Sequence, residues 1–141
     1  MATANLARGS AVTVDGKIYT MGWDGGGSNF MSMDIAMVYD PQAETWTNLP
    51  SLPQGPRSLL AACAAGGKIY AGGGYASGTI LPYVEEYDPA ANRWTVKSNL
   101  GTGRVDLTCA ESGGKVYFMQ GDRGGEGNSN ALEEYNPALD P

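Results

Sequence analysis

Gly67-Lys68-Ile69-Tyr70 is the middle copy of a phrase that occurs three times. Gly16-Lys17-Ile18-Tyr19 precedes it and Gly114-Lys115-Val116-Tyr117 follows it. A second phrase keeps step: Tyr39-Asp40-Pro41, Tyr87-Asp88-Pro89 and Tyr135-Asn136-Pro137, whose tyrosines fall 48 residues apart. Trp46 and Trp94 keep the same interval. Self-similarity at this period makes the unit of about 47 residues, and the way its copies stack, the object to explain. Units too small to fold alone must share their hydrophobic faces with their neighbours.

Each unit reads as short strands separated by turns. In the first, Ser10 to Val14 and Lys17 to Met21 flank Asp15-Gly16, a two-residue hairpin turn whose positions both accept positive φ. A glycine-rich loop, Gly22 to Ser32, leads to a third strand, Ile35 to Tyr39. The Asp40-Pro41 turn and a fourth strand, Thr45 to Leu49, follow; proline presets the second turn position. The second unit repeats this with strands Ser58 to Ala64, Lys68 to Ala71, Tyr83 to Tyr87 and Arg93 to Lys97. The third gives Val105 to Glu111, Lys115 to Gln120 and Ala131 to Tyr135, then a turn at Asn136-Pro137. No segment has the length and 3.6-residue period of a helix.

The lysine-aliphatic-tyrosine strand, the glycine pair Gly73-Gly74, the Tyr-Asp-Pro turn and a tryptophan seven residues after its tyrosine (Tyr39 to Trp46, Tyr87 to Trp94) resemble kelch repeats. The glycine pair is intact only in the second unit; the first has Gly22-Trp23 there and the third Gln120-Gly121. The resemblance spans essentially the whole chain. It implies an all-β fold of kelch-type β-propeller blades: three four-stranded antiparallel blades near 7–52, 53–100 and 101–141, the third lacking its own outer strand. Kelch propellers serve enzymes and binding proteins alike, so the resemblance speaks more to fold than to function.

Composition narrows the function classes. Of 141 residues 21 are glycine and 8 proline, 42% are apolar and 17% charged, as in a folded chain with many turns. A net charge of −6 argues against nucleic acid as a partner, which needs clustered cations. No apolar run approaches the ~20 residues that cross a bilayer. Met1 to Ser10 has no basic-then-apolar leader, which favours the cytoplasm. Histidine is absent, which removes histidine triads and histidine metal sites; no cofactor is expected. Cys63 and Cys109 fall in corresponding segments of the second and third units. Two buried thiols are the expectation, with a bridge between units as the alternative that spacing alone does not decide.

One arginine precedes the first strand of each unit: Arg8, Arg57 and Arg104. By the kelch resemblance this position lies near the channel mouth, on the long-loop face, where arginines of kelch adaptors bind acidic peptide segments through bidentate contacts. The alternative is that each bonds carbonyls or a neighbouring acid and serves its turn. The long loops add Trp23, Asp24, Asn29 and Phe30, then Tyr75 and Ser77, then Asp122, Arg123, Glu126 and Asn128, aromatics beside polar groups on a rigid scaffold. Gly72-Gly73-Gly74 and Gly124-Gly125-Glu126-Gly127 lack the Lys-Ser/Thr and helix of a phosphate loop. The ligand-binding set expected is Arg8, Arg57, Arg104, Trp23, Asp24, Tyr75, Asp122 and Arg123.

Three blades leave two faces open. The repeat step places a third tryptophan at position 142, just past Pro141, while Asn5-Leu6 echoes Asn99-Leu100. We therefore expect a homodimer of half-propellers closing a six-bladed ring, with residues 1–6 of each copy completing the third blade of the other. A fragment of a longer protein is the alternative. The expected function is a non-catalytic interaction module for a peptide or protein segment. The rivals are part of a carbohydrate-active kelch protein, of the sugar-oxidase or sialic-acid-isomerase kind, and an engineered or ancestral-like half-propeller with no ligand. The copper-oxidase form is disfavoured because its metal needs histidine.

Overall fold

The Asp15-Gly16 turn (φ 48° and 75°) is repeated by Gly66-Gly67 and Gly113-Gly114, all left-handed, and each sets the register of a hairpin. The computed structural model describes residues 6–25, 31–125 and 127–140. Met1 to Asn5, and Asn29, Phe30 and Glu126 of the expected loop set, lie outside them. Along the described chain come β1 (Leu6–Ala7), β2 (Ser10–Val14), β3 (Lys17–Met21), β4 (Asp24–Gly25), β5 (Met31–Ser32), β6 (Ala36–Asp40) and β7 (Thr45–Asn48). The second unit holds β8 (Ala61–Ala65), β9 (Lys68–Gly72), β10 (Tyr75–Ala76), β11 (Thr79–Ile80), β12 (Val84–Asp88) and β13 (Arg93–Lys97). The third holds β14 (Thr108–Ser112), β15 (Lys115–Met119) and β16 (Leu132–Tyr135).

Three antiparallel meanders result: β2-β3-β6-β7, β8-β9-β12-β13 and the three-stranded β14-β15-β16. No helix interrupts the described residues. These are kelch-type blades, two of four strands and a third of three, as expected. Two strands start later than expected, β8 at Ala61 rather than Ser58 and β14 at Thr108 rather than Val105. Leu59 (φ 59°) and Asp106 (φ 51°) are left-handed and break the extended backbone there. The long loops also carry ordered ribbon: β1, β4 and β5 form a small sheet, and β10 pairs with β11. Leu6, the end of the stretch expected to complete a partner's blade, pairs with Gly25 of its own chain.

The core is two seams between blades. Val14, Tyr19, Met21 and Ala36 of the first blade meet Ile69, Ala71, Tyr87 and Trp94 of the second. Cys63, Tyr70 and Val84 of the second meet Val116, Phe118 and Tyr135 of the third. Trp94 stacks on Tyr87 at 5.0 Å and donates its indole N–H to the Pro50 carbonyl at 2.9 Å, so one aromatic ties its own turn to the preceding blade. The turn aspartates act as their type dictates: Asp88 Oδ1 accepts from the amides of Ala90 and Ala91, and Asp40 Oδ1 from those of Gln42 and Ala43. A Cβ at Gly73 (φ 72°) would lie 2.5 Å from the Arg104 carbonyl oxygen, so the second blade's glycine pair is set by backbone conformation and by the approach of the next blade.

The two cysteines are not free thiols. Cys63 on β8 and Cys109 on β14 form a disulfide between neighbouring blades, with Cα atoms 5.9 Å apart. The reason is parity. Counted from the lysine that opens the second strand of each unit, Cys63 lies five residues before Lys68 and Cys109 six before Lys115. That one-residue offset turns the two side chains to opposite faces of their strands, each toward the other blade.

Candidate ligand-binding cleft on the long-loop face

Counting from Lys17, Lys68 and Lys115 puts the three units in common register and sorts the candidate residues into rows. Nine residues before the lysine stand Arg8, Leu59 and Asp106, all left-handed (φ 58°, 59° and 51°). Seven residues after it stand Asp24, Tyr75 and Asp122. One bridge recurs in each unit between these segments: Ala7 with Asp24, Ser58 with Tyr75, Val105 with Asp122.

The two rows converge on a cleft of about 620 Å³. Arg8 and Asp24 of the first unit, Ser58, Leu59, Tyr75 and Ile80 of the second, and Val105, Asp106 and Asp122 of the third line it. Arg8 NH1 meets Asp24 Oδ2 at 3.4 Å; the arginine side chain is 46% exposed and the aspartate is buried. Tyr75 is 37% exposed. Two further hollows adjoin, about 360 Å³ beside Arg8, Leu59 and Asp106, and about 420 Å³ beside Asp106, Asp122, Asn128 and Ser129. Four of the eight expected residues, Arg8, Asp24, Tyr75 and Asp122, thus line one site. Leu59 and Asp106, equivalent to Arg8, complete it; counting from the lysines finds them.

Arg57 and Arg104 do not line it, which corrects their expected role. Both are fully buried. They stand eleven residues before their lysines, where the first unit has Leu6, so Arg8 is not their counterpart. Arg57 Nε donates to the Gly73 carbonyl at 3.0 Å, and NH2 lies 2.7 Å from Glu85 Oε2, off the axis of a hydrogen bond and so an ion pair. Its guanidinium also lies 6.0 Å from the Tyr83 ring centroid. Arg104 NH1 donates to the carbonyls of Gln120 and Ala131, and NH2 pairs with Glu133. Glu85 and Glu133 are themselves equivalent, each two residues before its turn tyrosine, and the first unit has Met37 there. Where the arginine becomes leucine, the glutamate becomes methionine: the pair is exchanged as a unit, since either charge left alone in the interior is costly. Trp23 is half-buried with its ring where a Cβ on Gly9 would sit, and Arg123 is half-buried on the 122–129 loop; neither lines the cleft.

The cleft's formal charges are one arginine and three aspartates. That balance does not suit the acidic ligand the arginine row led us to expect, because two of its three arginines, Arg57 and Arg104, are buried. A second polar cluster lies elsewhere, along the seam of the second and third blades. Glu86 accepts from Lys68 Nζ (2.7 Å) and Tyr70 Oη (2.9 Å), with Lys97 Nζ at 3.6 Å. Burial raises the Glu86 pKa, but these donors outweigh it and hold the carboxyl below its ordinary value. Burial and the same carboxylate push the Tyr70 phenol up.

The Kelch motif model matches residues 6–53 and 56–101. Human and mouse Kelch-like protein 35 are each 42% identical to this chain over 45 residues, 32% of this chain and 8% of those proteins. The solved structure of YjhT superposes with a TM-score of 0.71 at 23% identity, over 87% of this chain and 36% of that one. The chain therefore spans well under half the length of these relatives. With motif matches over most of its length and blades of the same architecture, the chain belongs to the kelch-repeat family.

Proposed function

We propose that the chain is a non-catalytic interaction module that holds a segment of another protein in the cleft on its long-loop face, as part of a ring closed by a second copy. The observation that carries the reading is the convergence of the Arg8/Leu59/Asp106 and Asp24/Tyr75/Asp122 rows on one cleft. Loops on a rigid scaffold are where recognition residues sit, and an exposed tyrosine beside apolar side chains such as Leu59, Ile80 and Val105 is a usual anchor. Asp106 and Asp122 of the third unit favour a segment bearing a lysine, an arginine or hydroxyl groups, with Arg8 of the first unit to orient it.

The test uses immobilised peptides of equal length that are cation-rich, neutral or acid-rich, with neutral oligosaccharides alongside. Cation-rich peptides should bind, and Tyr75→Ala and Asp122→Asn should each weaken them tenfold or more, the equivalent of about 1.4 kcal/mol. Preferential binding of acid-rich peptides, binding of oligosaccharides alone, or indifference to both substitutions would overturn the reading.

A further inference from the structure

We infer that Asp24 is the residue through which the cleft reads a neutral hydrogen-bond donor, a carboxamide or hydroxyl on a side chain of the bound segment, beside the cation that Asp106 and Asp122 favour. The inference rests on the reading of the cleft proposed above and adds to it the ligand chemistry of one position.

Asp24 lines the cleft although it is only 1% exposed. Its Oδ1 is buried and accepts no hydrogen bond. Among the described residues one other buried carboxylate oxygen shares that state, Glu85 Oε2, and Arg57 lies 2.7 Å from it. The other acid in the same row is engaged locally: Asp122 Oδ1 accepts from the Gly124 amide at 2.8 Å. The hydroxyl nearest in register does not serve Asp24 either. Ser32 is its partner across β4 and β5, but Ser32 Oγ donates to the Tyr75 carbonyl at 2.9 Å. A buried carboxylate oxygen without a donor costs folding free energy, and folded chains keep few such groups. A donor that arrives with the ligand accounts for this one.

The surroundings select the kind of donor. Arg8 NH1 lies 3.4 Å from the other oxygen, Oδ2, so the carboxylate already has a cation beside it. An incoming ammonium or guanidinium would meet that like charge, whereas a neutral N–H or O–H does not. Leu59, Ile80 and Val105 line the same cleft. In such apolar surroundings a hydrogen bond to a carboxylate weighs more than in water, and an apolar group of the same size is rejected because it leaves the oxygen unpaired. The small exposure of Asp24 suits a side-chain tip better than a peptide backbone.

The test has two arms. The first needs no ligand. Asp24→Ala removes the unpaired oxygen and should leave the melting temperature unchanged or raise it by roughly 2–4 °C, with the far-ultraviolet circular dichroism unaltered. A lower melting temperature would mark the carboxylate as a support of the fold and overturn the inference. The second arm takes the cation-rich peptide that the parent binds most tightly and replaces each position in turn by glutamine, serine, leucine and lysine. One position should favour glutamine or serine over both leucine and lysine by about tenfold. That preference should vanish in Asp24→Ala and survive in Asp24→Asn, which keeps an acceptor oxygen in the same shape. An Asp24-dependent preference for lysine, a preference lost in Asp24→Asn, or no preference at any position would sink the inference and leave the reading of the cleft standing. A parent that binds none of the peptides would instead overturn the reading of the cleft, and this inference with it.

Discussion

Breaking the Cys63–Cys109 bridge should destabilise the chain by an amount that follows from loop length. The bridge closes a segment of 46 residues between the innermost strands of the second and third blades. The chain-entropy relation for a loop of that size gives about 4 kcal/mol at 25 °C, within a typical range of about 2–4. With a urea m-value of about 1.5 kcal/mol/M, the midpoint should fall by roughly 2.7 M on reduction. The assay is equilibrium urea unfolding with and without reductant, repeated on Cys63→Ala/Cys109→Ala, which removes the bridge and keeps small apolar side chains in the seam. Both perturbations should agree within about 0.5 kcal/mol. Because repeats couple only to their neighbours, hydrogen exchange should rise in β14–β16 before it rises in β2 and β3. A midpoint shift below roughly 0.3 M in both would refute the reasoning, since the blades would then be docked as firmly without the link.

Arg57→Ala removes the buried partner of Glu85 and should cost about 3–5 kcal/mol by thermal unfolding. Arg57→Leu/Glu85→Met, the pairing at Leu6 and Met37 of the first unit, should recover most of that loss. Acid should also unfold the chain. Glu86 and Asp140 titrate below their ordinary values when folded, so the folded state binds protons less readily than the unfolded one. Their contribution is complete above the ordinary carboxylate range and is lost as pH falls through and below it. A Glu86→Gln variant should show a shallower acid limb in a Tm-against-pH series.

How much of this was legible in the sequence depends on which periodicity a residue obeys. The blades were readable because Asp15-Gly16, Lys17 and Tyr39 belong to signals a few residues long that recur in phase. β2, β3 and β13 came out at their expected bounds. Arg8, Arg57 and Arg104 all precede a first strand, but proximity to a strand is not equivalence: Arg8 lies two residues later in the register, at a left-handed backbone position beside the cleft. The disulfide was within reach through strand parity, since an interval one short of the repeat faces two side chains across a seam. The burial of Arg57 was less accessible, because it follows from Glu85 on a strand contributed much later in the chain. Asp24, Tyr75 and Asp122 fall beside one cleft because they share one register position whose backbone bridge recurs in every unit.

The left-handed row of Arg8, Leu59 and Asp106 has a consequence for how such a protein changes over time. A cation, an aliphatic and an anion occupy one structural position in three successive units, and the blades tolerate all three. At that backbone twist the side chain leaves the strand and enters the cleft, so its identity does not feed back on the seams. The row behaves as a combinatorial lock whose pins can be recut one by one. Three codons can retune the charge and shape presented to a ligand while the packing that holds the units together goes untouched.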